Sequence, residues 1–554
     1  MKSAERLYEQ ALALAPDRPS IMSNLAVVYI RREKYSQARR LCERCLEIDP
    51  RDRHASIHLG ICLTELNAAA DALIAFDTAL ALQLDDPLVL ANRAGALIRL
   101  KRLDEAVASC ERALSIRADF PEALNMLGNA LLKQGRTESA IASFQRALIT
   151  QPDHAETHFN LASTLLRSGR PDEANDVFQR AIDLRPSDAK AHLSYGDALR
   201  MQHRLDEAKV QYQTASRLDP DLAEAEYGLG CVHLLNQEYR AGWEGYERRI
   251  QTQEFRHGGF RHEPASAQRF DERPRWQGPN FGWGRVAIWA EQAIGDEVLF
   301  STLIPELIDS RASFVYELDA RLVAPYRRAF PGVAFVARAD PPDAQLLNAD
   351  RVIGAGSLAR FFRPSTADFV RQPHALVCAL PERVAHYRRE LEHSGGGMKV
   401  ALSWHSALDH WWARKKNVAL SSLSPVLQTR GAQFVDVQYG DTDGERREAE
   451  TAAGVRMKRF SQVDHFHDLE ELMAILEACD LVITTSNATA HFAGALGKRT
   501  WVLFPGDRPP FHYWAHRGDY RCAWYPSVEI VTRPELDDWP SLIRYAAEKL
   551  SRSI

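Results

Sequence analysis

Small apolar residues recur along the first half of the chain with a fixed period. Ala4, Ala38, Ala72, Ala106, Ala140, Ala174 and Ala208 stand 34 residues apart, and seven residues after each comes Ala11, Cys45, Ala79, Ala113, Ala147, Ala181 or Ala215. The position between them holds Tyr8, Cys42, Phe76, Cys110, Phe144, Phe178 or Tyr212. Pro16, Pro50, Pro152, Pro186 and Pro220 close five of the units, with Leu84 and Ala118 in the other two. Upstream, a Leu followed by a small residue recurs as Leu25-Ala26, Leu59-Gly60, Leu127-Gly128, Leu161-Ala162 and Leu229-Gly230. This spacing predicts one helix pair per unit. Small residues let two antiparallel helices approach, the aromatic fills the wedge between neighbours, and proline cannot continue the helix it follows. Each pair buries its apolar face only against the next, which predicts a superhelix with an extended concave surface.

These positions resemble the tetratricopeptide repeat over roughly residues 1–250. The resemblance implies a surface that binds another protein, in particular an extended segment. The one C-x-x-C, Cys42 and Cys45, falls on the aromatic and small-residue positions of a unit. Core packing is therefore expected of it, and neither a metal site nor a redox pair. After Pro220 the repeat fades: residues 223–235 still read as a first helix, but 252–274 lose periodicity and collect His257, Gly258, Gly259, His262 and Pro264. The expected organisation is an array at 1–250 and a linker at 251–275.

From Trp276 the hydrophobic period changes. Residues 285–290 read as a buried strand ending in Glu291-Gln292-Ala293-Ile294-Gly295-Asp296-Glu297, with a helix over 298–308. Strands at 313–318, 333–337 and 351–353 alternate with helices at 320–330 and 381–393. Ser394-Gly395-Gly396-Gly397 then breaks the chain. A second series follows, with strands at 399–404, 433–438, 480–484 and 499–504 and helices at 423–429, 468–478 and 488–496. Such alternation predicts parallel sheets covered on both faces. Two lobes, at 276–394 and 398–554, would leave a cleft between the carboxyl ends of their sheets, where ligands bind. In architecture this resembles the two-lobed GT-B glycosyltransferase fold of two Rossmann-like halves, which implies an acceptor side in the first lobe and a nucleotide-sugar side in the second.

Composition narrows the function classes. At about 150 residues per domain, 554 residues allow three or four units. A net charge of −5 with 26% charged and 45% hydrophobic residues is an ordinary soluble balance, without the clustered Lys and Arg of tight nucleic-acid binding. No apolar run approaches a membrane span, the N-terminus lacks a signal segment, and eight cysteines make no disulfide framework. A soluble cytoplasmic protein is expected.

The candidate chemistry lies in the second half. Glu291-Gln292-Ala293-Ile294-Gly295-Asp296 resembles the Gly-Asp loop of the lipopolysaccharide heptosyltransferase family. The chain is still more similar to bacterial proteins that fuse tetratricopeptide repeats to such a domain, several of them linked to flagellin glycosylation. Gly242-Trp243 with Tyr246-Glu247-Arg248-Arg249, Trp276-Gln277-Gly278 and Trp524-Tyr525-Pro526 match stretches those proteins share. The resemblance implies that Asp296 is the general base, since transfer to a hydroxyl needs a carboxylate within reach of the acceptor proton. A helix-capping Asp is the alternative. Glu291, Gln292, Gly295, Trp404 and His405 are candidate cleft contacts.

The donor's phosphate calls for positive charge or helix N-termini. Lys416 is the closest match to the family's phosphate-binding cation, and Lys415 can take its place. Farther on, Ser486-Asn487-Ala488 stands where the family carries Asp-Thr-Gly, and His491 matches its His one turn into the helix. That departure argues against ADP-heptose. It fits an acidic, sialic-acid-like donor such as CMP-pseudaminic or CMP-legionaminic acid at least as well, and equally UDP-GlcNAc. Gln438 is a candidate contact for the nucleotide base, and Gly494 and Gly497 are expected to serve helix packing. Asp441-Thr442-Asp443 reads as a turn, and His465-Phe466-His467 lacks a third ligand. No metal or other cofactor is expected, the nucleotide sugar being a substrate. The leading expectation is a transferase moving a sugar to Ser or Thr of a protein held by the repeats, with flagellin suggested by resemblance. A glycan or lipopolysaccharide transferase and an inactive repeat scaffold are the alternatives.

Overall fold

The structure, a computed structural model, describes residues 2–256, 273–279, 284–406, 416–506, 511–516, 519–533, 535 and 538–554. The chain forms two compact units, Met1–Ala198 and Leu199–Ile554.

The first unit is a run of helix pairs: Lys2–Leu14, Pro19–Ile30, Tyr35–Ile48, Arg53–Glu65, Ala69–Leu82, Pro87–Arg99, Leu103–Ile116, Pro121–Lys133, Thr137–Thr150, Ala155–Arg167 and Pro171–Leu184. Pro19, Pro87, Pro121 and Pro171 open helices, where their missing N–H costs nothing and their fixed φ suits the first turn. The periodic residues are the seams. A Cβ added to Gly60 would lie 2.6 Å from the Phe76 ring, and one on Gly128 would lie 2.5 Å from Phe144, so the aromatic sits where a side chain would be. Cys42 and Cys45 are fully buried, Cys42 against Leu25, Ala26 and Tyr29, as their place in the period requires.

The second unit opens with repeat helices as well: Leu205–Leu218, Ala223–Leu235 and Tyr239–Tyr246. The repeat does not fade here. Gly242 and Tyr246 stand 34 residues after Ala208 and Tyr212, in unbroken register. The last two helices touch backbone to backbone: a Cβ on Gly230 would lie 2.6 Å from the Gly245 carbonyl carbon. A 3-10 turn, Glu247–Gln251, and a short helix, Gln253–Arg256, continue the chain into the expected linker, of which 257–272 lie outside the described residues. The array thus reaches Tyr246, close to the expected boundary at 250. The end of the array folds with the sheets because its aromatic residues are part of their core.

Among the described residues, nine strands form two parallel sheets. β1 (Arg285–Trp289), β2 (Ser313–Leu318), β3 (Ala334–Ala337) and β4 (Arg351–Gly354) are ordered β3-β2-β1-β4. β5 (Met398–Ser403), β6 (Ala432–Asp436), β7 (Leu481–Thr484), β8 (Thr500–Leu503) and β9 (Val528–Val531) are ordered β6-β5-β7-β8-β9. The central strands are buried nearly end to end, which is why they read as continuous apolar runs. Segment 274–276 joins the first sheet at β4, with the Trp276 N–H donating to Val352 O at 2.9 Å and Val352 N–H donating to Pro274 O at 3.0 Å.

Three expectations change. The helix expected over 298–308 is two, Ile294–Ser301 and Ile304–Asp309, the second carrying Pro305 in its first turn. Asp443–Ala453 is a helix following the discounted D-x-D, with too few apolar residues to show a period. Helix Pro381–His393, assigned to the first lobe, packs on Leu469–Ala478 of the second, where Tyr387 donates to Glu471 at 2.6 Å. One hydrophobic core runs through Val298 and Tyr316 of the first lobe and Phe492 and Trp524 of the second.

Gly128→Ala is expected to cost about 1–3 kcal/mol, since the Phe144 ring must move and overpacked cores resist by that amount. Gly444→Ala, in a helix with nothing within 4 Å of the added carbon, should instead gain a few tenths of a kcal/mol, up to about 1. Urea unfolding followed by far-ultraviolet circular dichroism distinguishes the two signs.

Candidate functional site

A parallel sheet offers a crevice where its winding reverses direction. The strand orders put that point beyond β1 and β4 in the first sheet and beyond β5 and β7 in the second. The loops that follow these strands carry Glu291–Asp296, Gly354–Ser357, Trp404–Ser406 and Thr485–Asn487.

The β1 loop is held from below by the end of the array. Arg249 makes a two-pronged pair with Glu291, Nε to Oε2 at 2.9 Å and Nη2 to Oε1 at 2.7 Å, both side chains being buried. Arg249 also donates to Ser357 Oγ at 2.9 Å, and Glu291 Oε1 accepts from Gly356 N–H at 2.5 Å. Burial opposes the guanidinium charge, but Glu291 and Glu247 outweigh it and raise its pKa. Gly354 and Gly356 are required by this pair, because a Cβ on either would fall within 2.9 Å of Glu291 Oε1. Gln292 takes φ +62, unusual for a side-chain-bearing residue, and its amide donates to Tyr246 Oη at 3.1 Å. Glu291 is thus corrected from a cleft contact to a buried anchor. Its carboxylate faces inward because an uncompensated Arg249 would otherwise lie buried.

Asp296 follows on helix Ile294–Ser301. Its Oδ2 accepts from Ala293 N–H at 3.2 Å, so the capping role is real, and the other oxygen has no hydrogen-bond partner among the described residues. Burial is the largest influence on this carboxyl and, with the Glu291 charge, lifts its pKa to about 6 against the lowering effects of Ala293 N–H and Lys416. Lys416 is pushed down by burial and held up by Asp296, so each charge feels the other. Its ammonium lies 5.3 Å from the centre of the Phe511 ring, which stacks on Tyr513. Lys415 lies outside the described residues.

Opposite stands the β7 turn with helix Ala488–Ala495. His491 is buried and its Nδ1 lies 3.1 Å from Tyr525 Oη. Burial, then the nearby Lys416 charge, lowers its pKa to about 3, so it is a neutral imidazole at physiological pH. The two turns meet at Gly295, where a Cβ would lie 3.0 Å from His491 Cδ2. That close approach, tight for any larger residue at 295, brings Asp296 beside the turn that carries His491 from the opposite lobe.

Other candidates prove to be framework. Ser486 Oγ accepts from Trp514 Nε1 at 2.9 Å. Asn487 is the N-cap of its helix, accepting from Ala490 N–H at 3.3 Å, and its amide donates to Ser403 Oγ at 2.8 Å. Gln438 is fully buried: its Oε1 accepts from Trp404 N–H at 2.9 Å and His405 N–H at 3.1 Å, which shapes the β5 loop but leaves nothing for a base. Trp404 is also fully buried and donates to Glu445 Oε2 at 2.9 Å. Gln438 is thus corrected from a nucleotide-base contact, and Trp404 from a cleft contact, to framework residues. His405 keeps a half-exposed ring beside Tyr439. Two residues escape sequence reading. The hydroxyls of Thr485 and Thr489 are buried at the start of the β7 helix without a hydrogen-bond partner. Only three-dimensional accounting finds them, since Thr is common at such positions.

Comparison with known proteins bears on the repeats. Family models of the tetratricopeptide repeat match residues 1–44, 29–94, 89–120, 125–189 and 159–223. The array is made of tetratricopeptide repeats. Protein FlbA of Caulobacter vibrioides is 30% identical over 321 residues, spanning 55% of this chain and 51% of that protein, so the chain spans about half the length of this curated relative. Among solved structures, YrrB, a tetratricopeptide-repeat protein with an unusual peptide-binding site, is 25% identical over 32% of this chain and 92% of its own, at a TM-score of 0.29. A thermophilic tetratricopeptide-repeat protein of Thermus thermophilus is 24% identical over 33% of this chain and 99% of its own, at a TM-score of 0.31. Among the described residues no helix is long and apolar enough to cross a membrane.

Replacing Arg249 or Glu291 alone by Met should destabilise the second unit by about 3–5 kcal/mol, because the remaining charge is stranded in the core. The double replacement should cost clearly less than either. Tryptophan fluorescence during urea unfolding reports this directly, Trp243 and Trp289 lying on the same unit.

Proposed function

We propose that the α/β half is a glycosyltransferase and that the repeats hold its protein acceptor. The observation that carries this reading is the meeting of the β1 and β7 turns, with Asp296 from one lobe and Lys416 and His491 from the other at a shared crevice. Asp296 would accept the proton of an acceptor hydroxyl as the oxygen attacks the anomeric carbon. A carboxyl with a pKa near 6 is ionised at neutral pH yet basic enough to take up a proton in the transition state. Lys416, the free N–H groups opening helix Ala488–Ala495, and the Thr485 and Thr489 hydroxyls would receive the departing nucleotide phosphate. His491, being neutral, would contribute a hydrogen bond and no charge.

The donor reading follows from what is missing. Ser486 and Asn487 bring no carboxylate to the turn, which leaves room for an acidic, nonulosonic-type sugar. Assignment of the acceptor hydroxyl to flagellin rests on family resemblance alone. A second reading is favoured by one observation: Ser486 and Asn487 are spent on Trp514 and on the helix cap. On that reading the α/β half is an inactive scaffold attached to protein-binding repeats. A glycan acceptor would leave the same catalytic arrangement but make the array dispensable for transfer.

Asp296→Asn, which preserves the Ala293 contact, is expected to lower transfer by about 10²–10⁴-fold while leaving the melting temperature within a few degrees. Transfer by the unaltered protein should fall as pH drops through about 6, because protonation removes the base. That limb should be absent from the residual activity of the variant. Mass spectrometry of the purified acceptor after incubation with candidate nucleotide sugars provides the assay. Equal transfer by both proteins would displace Asp296 from the role, and no transfer from any donor would favour the scaffold.

A further inference from the structure

The first unit has two edges of turns, and they are electrostatically unlike. At the edge after the second helix of each pair, aspartates are neutralised by arginines of the following pair: Asp17 by Arg44, Asp85 by Arg112 and Asp153 by Arg180, each at 2.6 Å. At the opposite edge, between the two helices of a pair, cations recur in register. Arg31, Arg99, Lys133 and Arg167 occupy one position of the 34-residue unit, joined by Lys101 and Arg136 in the same turns.

Five carboxylates on that edge are already committed, whereas among the described residues Glu33, Asp71 and Asp172 have no ion-pair partner. Glu105 takes both prongs of Arg102 and Glu173 both prongs of Arg170, while Glu138 approaches Arg170 at 3.5 Å and Asp104 accepts from Gln134 at 2.8 Å. Glu65 lies 3.7 Å from Arg99. Arg31, Lys101, Lys133, Arg136 and Arg167 are exposed, and among the described residues none of the five has an ion-pair partner. Successive turns abut, since Arg99 donates to Asn67 of the preceding pair at 2.9 Å and Gln134 reaches Asp104 in the same way. The edge is therefore continuous. It is notched by a recess of about 490 Å³ at Asn67–Asp71, where Asn67 and Ala68 stand in place of the cations of later turns and Arg99 and Asp71 form part of the wall.

We infer that this edge of the repeat array docks an extended acidic segment of a partner protein. Unpaired cations at fixed spacing, with one recess among them, complement separated carboxylates along a chain. A nucleic acid is less suited: its phosphates are continuous, whereas Glu105, Glu138 and Glu173 interrupt the edge, and Tyr35 is half-buried at one end of it and not part of a row of rings on which successive bases could stack. The inference rests on the array being the partner-holding part of the protein and not on transfer activity.

The test uses the full chain, a fluorescein-labelled oligoglutamate of about ten residues, and fluorescence anisotropy at low salt. Lys101→Gln/Lys133→Gln/Arg167→Gln should weaken binding about tenfold, as expected for three partly exposed ion pairs. It should also flatten the dependence of affinity on salt. Arg112→Gln/Arg180→Gln, on the opposite edge, should leave affinity unchanged. Circular dichroism melting confirms that both variants keep their helices, and single replacements at Lys101 or Lys133 substitute for the triple if it does not fold. The inference is overturned if the triple or single variants bind as the parent does, or if the opposite-edge variant loses as much. It is also overturned if oligouridylate of equal charge binds more tightly and is lost with the same residues. Because the readout is binding, failure here is distinguishable from failure of the transferase reading.

Discussion

A buried ion pair between Arg249 and Glu291 ties the last turn of the repeats to the loop after β1 of the α/β half. Two charges removed from water are stable only if nearly every polar atom finds a partner. Here Ser357, Gly356 N–H and Glu247 complete the set. The glycines at 354 and 356 are needed to let the loops close on it. The β1 loop therefore has little freedom, and Gln292 is held in a left-handed conformation with Tyr246 as its hydrogen-bond partner. Asp296 inherits its position from this chain of constraints.

The same logic explains why the end of the repeat array packs with the sheets. Trp243 donates to Arg363 O at 2.8 Å and meets Trp524 edge-on, and Trp524 in turn packs against Phe300 and Phe369. A tryptophan buried with its N–H satisfied contributes much apolar area and fixes orientation. Residues of the last helix, of the first lobe and of the second lobe thus share one core. The end of the array and the loops that line the crevice are thus packed into one core within residues 199–554.

Much of this was legible in the chain. The 34-residue period names the seams correctly, down to Phe76 over Gly60 and Phe144 over Gly128, because a repeat that packs on copies of itself must write the same contact each time. Strand positions were legible too, since central parallel strands are buried on both faces and read as apolar runs. The polar helix Asp443–Ala453 left no such trace. The site was half legible: Gly295, Asp296, Lys416 and His491 gather at the crevice, while Glu291, Trp404 and Gln438 serve the framework. One-dimensional reading cannot separate a polar residue facing ligand from one facing a buried partner, because both occur at strand ends and both look unusual.

The sequence by itself determined the repeat unit, the two-sheet alternation and the pair of turns that meet at the crevice. These are local patterns of period and turn residues. Only the tertiary structure decided that Tyr246 and Arg249 belong with the sheets, and that Gly295 packs against His491. It also decided that Thr485 and Thr489, not Ser486 and Asn487, carry unspent hydrogen-bonding capacity. Each of those facts is a relation between residues from 3 to nearly 200 positions apart, and burial and pairing across such distances exist only once the chain has packed.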